Sequence, residues 1–134
     1  MYFVELPTGA CANPTFTMSS TEKVAYDANC HCGAVKFTVN IPSLEVEEVT
    51  RCNCSICTRN GYLNVFPRRE DVVFHSGESQ LASYLFGEKR RAHRFCPTCG
   101  TSVLIDFQNA ESEAEKPYMA VNVSVMPNHS HQVS

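Results

Sequence analysis

Seven of the eight cysteines in this 134-residue chain fall into three tight clusters. They are Cys30-His31-Cys32, Cys52-Asn53-Cys54-Ser55-Ile56-Cys57 and Cys96-Pro97-Thr98-Cys99. Thiols spaced this closely at the ends of strand-like runs have the spacing of metal ligands. In Cys96-x-x-Cys99 the next residue, Gly100, relieves the turn that lets both sulfurs face one ion. Cys30-x-Cys32, followed by Gly33, is tighter still. A disulfide between i and i+2 thiols is strained, so this pair favours metal over a bridge. Two pairs supply four ligands. Cys30, Cys32, Cys96 and Cys99 are therefore expected to close one tetrahedral, structural zinc. Closing so long a loop would strongly constrain the unfolded chain.

The triplet Cys52, Cys54 and Cys57 supplies only three ligands, which leaves a second, catalytic zinc with an open position. Three thiolates make such a centre a weaker Lewis acid than three neutral imidazoles would. It is soft and suits an incoming sulfur. A thiol bound there loses its proton near neutral pH, and in a reducing cell the natural small-molecule thiol is glutathione. The alternative is a fourth protein ligand, for which Cys11, His31, His75 and His93 are candidates. Arg59, two residues beyond Cys57, and His93, three before Cys96, are candidate substrate-binding residues. The basic run Lys89-Arg90-Arg91-Ala92-His93-Arg94 is a second candidate anchor for substrate carboxylates. Asn53 and Ser55 are placed to donate hydrogen bonds to cluster sulfurs. For each of these an ordinary surface role is the bland alternative.

A hydrophobic content of 43% with 19% charged residues predicts a folded globule, and the length suits one domain. The net charge of −3 argues against a nucleic-acid binder. The first residues lack a basic n-region, and no apolar run approaches the ~18 residues of a membrane span. A reducing compartment is expected, cytoplasmic or nuclear, where clustered thiols hold metal.

Residues 1–22 read as a flexible N-terminal extension containing Cys11, residues 23–127 as the zinc-binding domain, and residues 128–134 as a polar C-terminal tail. Alternation of Val35, Phe37, Val39 and Ile41 with polar residues marks a half-buried strand. Further strands are expected near 46–51, 62–66, 72–75, 81–86, 91–95 and 101–107. Residues 55–61 read as one helical turn ended by Gly61. Residues 108–116 read as an acidic loop, and 119–125 as a last alternating strand. Many short strands punctuated by Gly and Pro predict a mostly β, single-domain fold.

Three motifs, Cys30-His31-Cys32-Gly33-Ala34-Val35-Lys36-Phe37, Arg51-Cys52-Asn53-Cys54-Ser55-Ile56-Cys57 and Phe95-Cys96-Pro97-Thr98-Cys99-Gly100-Thr101, closely resemble the glutathione-dependent formaldehyde-activating enzyme family, whose relatives include centromere protein V. The resemblance spans residues 24–125. It implies a β-tent of short antiparallel sheets, a structural zinc on Cys30, Cys32, Cys96 and Cys99, and a catalytic zinc on Cys52, Cys54 and Cys57. It also implies carbon–sulfur lyase chemistry, the joining of formaldehyde and glutathione into S-hydroxymethylglutathione and its reverse. The N-terminal extension departs from the family pattern, and the C-terminal segment is shorter than is usual there. The other function class to weigh is a zinc-stapled binding module without turnover, like centromere protein V.

Overall fold

The computed structural model describes residues 2–6 and 22–126. Cys11 and the polar tail lie outside the described residues. Ten strands form two sheets: β1 (Tyr2–Leu6), β2 (Lys23–Asn29), β3 (Lys36–Pro42), β4 (Glu48–Cys52), β5 (Asn64–Val65), β6 (Val72–Ser76), β7 (Ala82–Tyr84), β8 (Ala92–Phe95), β9 (Ser102–Asp106) and β10 (Met119–Asn122). One helix, α1 (Ser55–Asn60), interrupts them. The larger sheet runs β1-β4-β5-β10-β9-β8-β7 and the smaller β2-β3-β6. The mostly β expectation holds. Pairing is antiparallel except where β1 lies parallel to β4. β1 falls within the stretch read from sequence as an extension, and there it adds the edge strand of the larger sheet.

In β3 the expected alternation is met: Phe37, Val39 and Ile41 are buried, while Lys36, Thr38 and Asn40 face outward. This is the period-two signature of a strand with one wet face. β10 departs from expectation, because all four of its residues are buried. It sits between β5 and β9, and both of its faces are covered. Met119 and Val121 join one apolar core, which also holds Val35, Phe37 and Val103. Ala120 joins a second core, with Cys52, Cys54, Cys57, Tyr62 and Phe107. The strand also ends early. Asn122 Oδ1 accepts the Ser124 and Leu63 amides at 3.2 and 3.3 Å, and its Nδ2 donates to the Ser102 carbonyl. These bonds start a 3-10 turn over Val123–Val125 where sequence alternation suggested more strand.

The two cysteine pairs occupy equivalent turns. Cys30 follows β2 and opens the turn into β3, while Cys96 follows β8 and opens the turn into β9. In each turn the first cysteine's amide donates to the carbonyl five residues on, Val35 or Thr101, at 3.1 and 3.0 Å. Gly33 and Gly100 sit at φ +80 and +78, the left-handed region that glycine enters without steric cost. One hairpin belongs to the smaller sheet and the other to the larger, so the meeting of their tips joins the two sheets. Among the described residues, no helix is long and apolar enough to cross a membrane.

Candidate metal centres and the adjoining cleft

The sulfurs of Cys30, Cys32, Cys96 and Cys99 all lie within 4.8 Å of one another. Cys32 Sγ is 3.6 Å from Cys30 Sγ and 3.7 Å from Cys96 Sγ. A disulfide would hold sulfurs about 2.05 Å apart. A tetrahedron with metal–sulfur bonds of about 2.3 Å has edges of about 3.8 Å, so these spacings fit four thiolates around a zinc-sized ion. The second-layer groups are in place as well. The Val35 amide donates to Cys30 Sγ at 3.3 Å, and Thr101 Oγ1 lies 3.2 Å from Cys99 Sγ while accepting the His31 amide.

These contacts set the thiol acidities against one another. Burial raises the Cys30 thiol, but the Val35 amide and the neighbouring thiols Cys32 and Cys96 outweigh it, and the net shift is downward. The Thr101 hydroxyl, aided by backbone bonds from Cys32 and Thr101, holds Cys99 down to about 5. A backbone bond from Ala34 favours the Cys32 thiolate, yet the other cluster thiols win and push Cys32 up to about 11. Four thiols this close cannot all ionise without a positive charge among them, and a divalent cation supplies it.

The second group is Cys52, Cys54 and Cys57, again with sulfurs within 4.8 Å of one another, and all three residues are buried. The local chain explains the grouping. β4 ends at Cys52, Cys54 is the extended N-cap of α1, and Cys57 lies on the helix's buried side. Cys54 N donates to Cys52 Sγ at 3.4 Å, one of the amide–sulfur bonds that favour thiolate. Gly61, at φ +65, ends the helix as expected and turns Tyr62 into the same core as the triplet.

Among the described residues no fourth His, Cys, Asp or Glu joins this triplet. His31 is exposed, and His75 Nε2 is bound to Thr38 Oγ1 at 2.7 Å on the outer face of the smaller sheet. His93 is buried, with Nδ1 3.3 Å from the Tyr62 hydroxyl. Burial, reinforced by the Arg91 charge, holds its imidazole down to about 4, so it is neutral at physiological pH.

His93 lines a cleft of about 540 Å³ together with Phe86, Glu88, Arg90, Arg91 and Ala110. This is the size range of small-molecule sites. The cleft is continuous with the triplet's surroundings. Ala110 belongs to the triplet's core, Arg91 lies 5.3 Å over the Phe107 ring of that core, and Tyr62 stacks on His93. Of the basic run, Arg90 and Arg91 reach the cleft, each paired with a carboxylate: Arg90 with Glu88 at 3.1 Å and Arg91 with Glu115 at 3.2 Å. Arg59 is elsewhere: it is exposed on α1, its Nη1 donating to the Ser55 carbonyl at 3.0 Å. Sequence reasoning missed Tyr62, Phe86 and Glu115. Glu115 comes from the acidic stretch read as loop, and its burial beside Arg91 leaves no trace in local periodicity.

The comparisons with known proteins agree with this arrangement. The chain is similar to a Rhodobacter sphaeroides protein of known crystal structure, with 29% identity, 78% of this chain and 90% of that chain covered, and a TM-score of 0.65. The family model described as glutathione-dependent formaldehyde-activating enzyme matches residues 25–133, which take in all three cysteine clusters and the cleft, and the chain belongs to that family.

Proposed function

We propose that the protein is a zinc-dependent carbon–sulfur lyase acting on a glutathione adduct, as in the formation and cleavage of S-hydroxymethylglutathione. In this reading Cys30, Cys32, Cys96 and Cys99 hold a structural zinc, and Cys52, Cys54 and Cys57 hold the catalytic one. The setting is the reducing cytoplasm, where glutathione is at hand. The observation that carries the reading is the buried three-sulfur group, joined by no fourth ligand among the described residues and bordering a cleft of ligand size.

A zinc ion at the triplet would supply a soft Lewis-acidic position for the adduct's sulfur, which lowers the cost of carrying that sulfur as thiolate. The chain's own residues do the rest. The Cys54 amide spreads negative charge at Cys52. Tyr62, Ile105, Phe107 and Ala120 surround the triplet with apolar surface, which keeps water out and strengthens polar contacts there. With Nδ1 taken by Tyr62, His93 has Nε2 left to hydrogen-bond the adduct's oxygen. Arg90 and Arg91 have further N–H groups with which to meet glutathione carboxylates. In cleavage the carbon–sulfur pair goes to sulfur, and the hydroxyl proton passes to solvent as the carbonyl forms; synthesis reverses both movements.

The test is exchange NMR on equilibrated glutathione and labelled formaldehyde. Zinc-loaded protein should speed interconversion of free and adduct carbon, and Cys54→Ser should abolish the effect while the fold persists. No acceleration by fully loaded wild-type protein would refute the reading for this adduct.

A further inference from the structure

Beside the triplet, four rings stack in sequence from the surface inward. Tyr84 and Phe86 lie 5.5 Å apart, Phe86 and His93 5.4 Å, and His93 and Tyr62 5.9 Å. The inner two are buried, and Tyr62 packs in the same core as Cys52, Cys54 and Cys57. The outer two are open to solvent, Tyr84 by 50% and Phe86 by 45%, with Leu85 between them also exposed. Large apolar side chains left open together mark a binding surface. The surface continues into the cleft, because Phe86 and His93 both line it.

The charges of the cleft point the same way. Arg90 and Arg91 are each neutralised by a glutamate, so the lining is no strong anion trap and apolar contact is what it has to offer. A one-carbon adduct has nothing to lay against a phenyl face. We infer that the cleft is built for thiol adducts whose carbon half is a flat, unsaturated group larger than one carbon, stacked on Phe86 while the sulfur lies at the triplet. This rests on the reading of the triplet as a thiol-adduct site and names the class of adduct.

The test uses inert thioethers on the full-length, zinc-loaded protein, read by calorimetry. S-benzylglutathione should bind about threefold to tenfold more tightly than S-methylglutathione, the gain expected of one aromatic stack. Phe86→Leu, an exposed position where folding should survive, should bring the two affinities together. Equal affinities in the wild type, or a preference that survives in Phe86→Leu, would overturn the inference and leave the lyase reading standing. Binding of neither thioether to loaded, folded protein would remove both. If Phe86→Leu instead abolished self-association and left thioether affinities unchanged, the patch would be a contact between copies of the chain, and the inference would fall.

Discussion

The Tyr62 hydroxyl lies 3.3 Å from His93 Nδ1, and the two rings stack with an 11° angle between their planes. Asn60 Nδ2 donates to that same hydroxyl at 3.0 Å. With one bond accepted from Asn60, the phenol's own hydrogen is free to point at Nδ1, which places the imidazole proton on Nε2. Nitrogen-15 NMR should therefore report the Nε2–H tautomer of His93 in wild-type protein, and a mixed tautomer in Tyr62→Phe. An Nδ1–H form in the wild type would show that the bond runs the other way.

Burial of the same imidazole makes stability depend on pH. His93 is held to about 4 against an ordinary value of 6.5, by burial first and Arg91 second. Below pH 6.5 the unfolded chain takes up a proton that the folded chain refuses until about pH 4. The contribution is thus complete above 6.5 and is lost as pH falls through the window between the two values. By pH 5 the loss should reach about 2 kcal/mol. Urea unfolding at pH 7.5 and 5 should show this drop in wild type and a smaller one in His93→Gln, at equal metal content. Identical drops would assign the acid sensitivity to the thiolate clusters instead.

The two cysteine groups differ in what their loss should do. Cys96 helps bind together hairpins from two different sheets. Structural zinc sites contribute on the order of 10 kcal/mol, comparable to a domain's whole stability, so Cys96→Ala should unfold the protein. Cys54 belongs to a group drawn from one short stretch, β4 through α1, and links no distant segments. Cys54→Ala should cost about 1–3 kcal/mol from lost packing, and leave circular dichroism native and one metal bound. Equal destabilisation by both substitutions, read from thermal melts with metal analysis, would contradict the division between staple and reactive centre.

Much of this was legible in the chain because clustered ligands and one-sided strands leave local marks. The two cysteine groups, β3 and the Gly61 stop could each be read from a few adjacent residues. What could not be read depends on neighbours far along the chain. β10 is covered on both faces, so alternation of Val with Ala and Asn there suggested a wet face that does not exist. β2 is the opposite case: Lys23–Asn29 is mostly exposed and lacks an apolar stripe, yet all seven residues pair with β3. The Tyr62–His93 contact joins residues 31 apart, and nothing near either one announces the other.

Gly77 tests how closely the smaller sheet supports the first cysteine turn. It sits at φ +81, and a Cβ built there would lie 2.3 Å from the Ala34 carbonyl oxygen and 2.8 Å from Val35 Cα. Both are backbone atoms of the turn that carries Cys30 and Cys32, and neighbouring Ser76 also donates its hydroxyl to the Ala34 carbonyl. Gly77→Ala must therefore move the turn, adding that clash to the ordinary cost of a left-handed alanine. Gly87 makes the control, since it has φ +59 with nothing within 4 Å of a new Cβ. Gly87→Ala should cost about 1 kcal/mol and Gly77→Ala about 3 kcal/mol or more. Only Gly77→Ala should also release metal faster to a chelator, because Val35 N and Ala34 are bonded to the sulfurs of Cys30 and Cys32. Equal melting shifts and equal chelation rates in the two variants would mean that the Gly77 turn and the cysteine turn are mechanically independent.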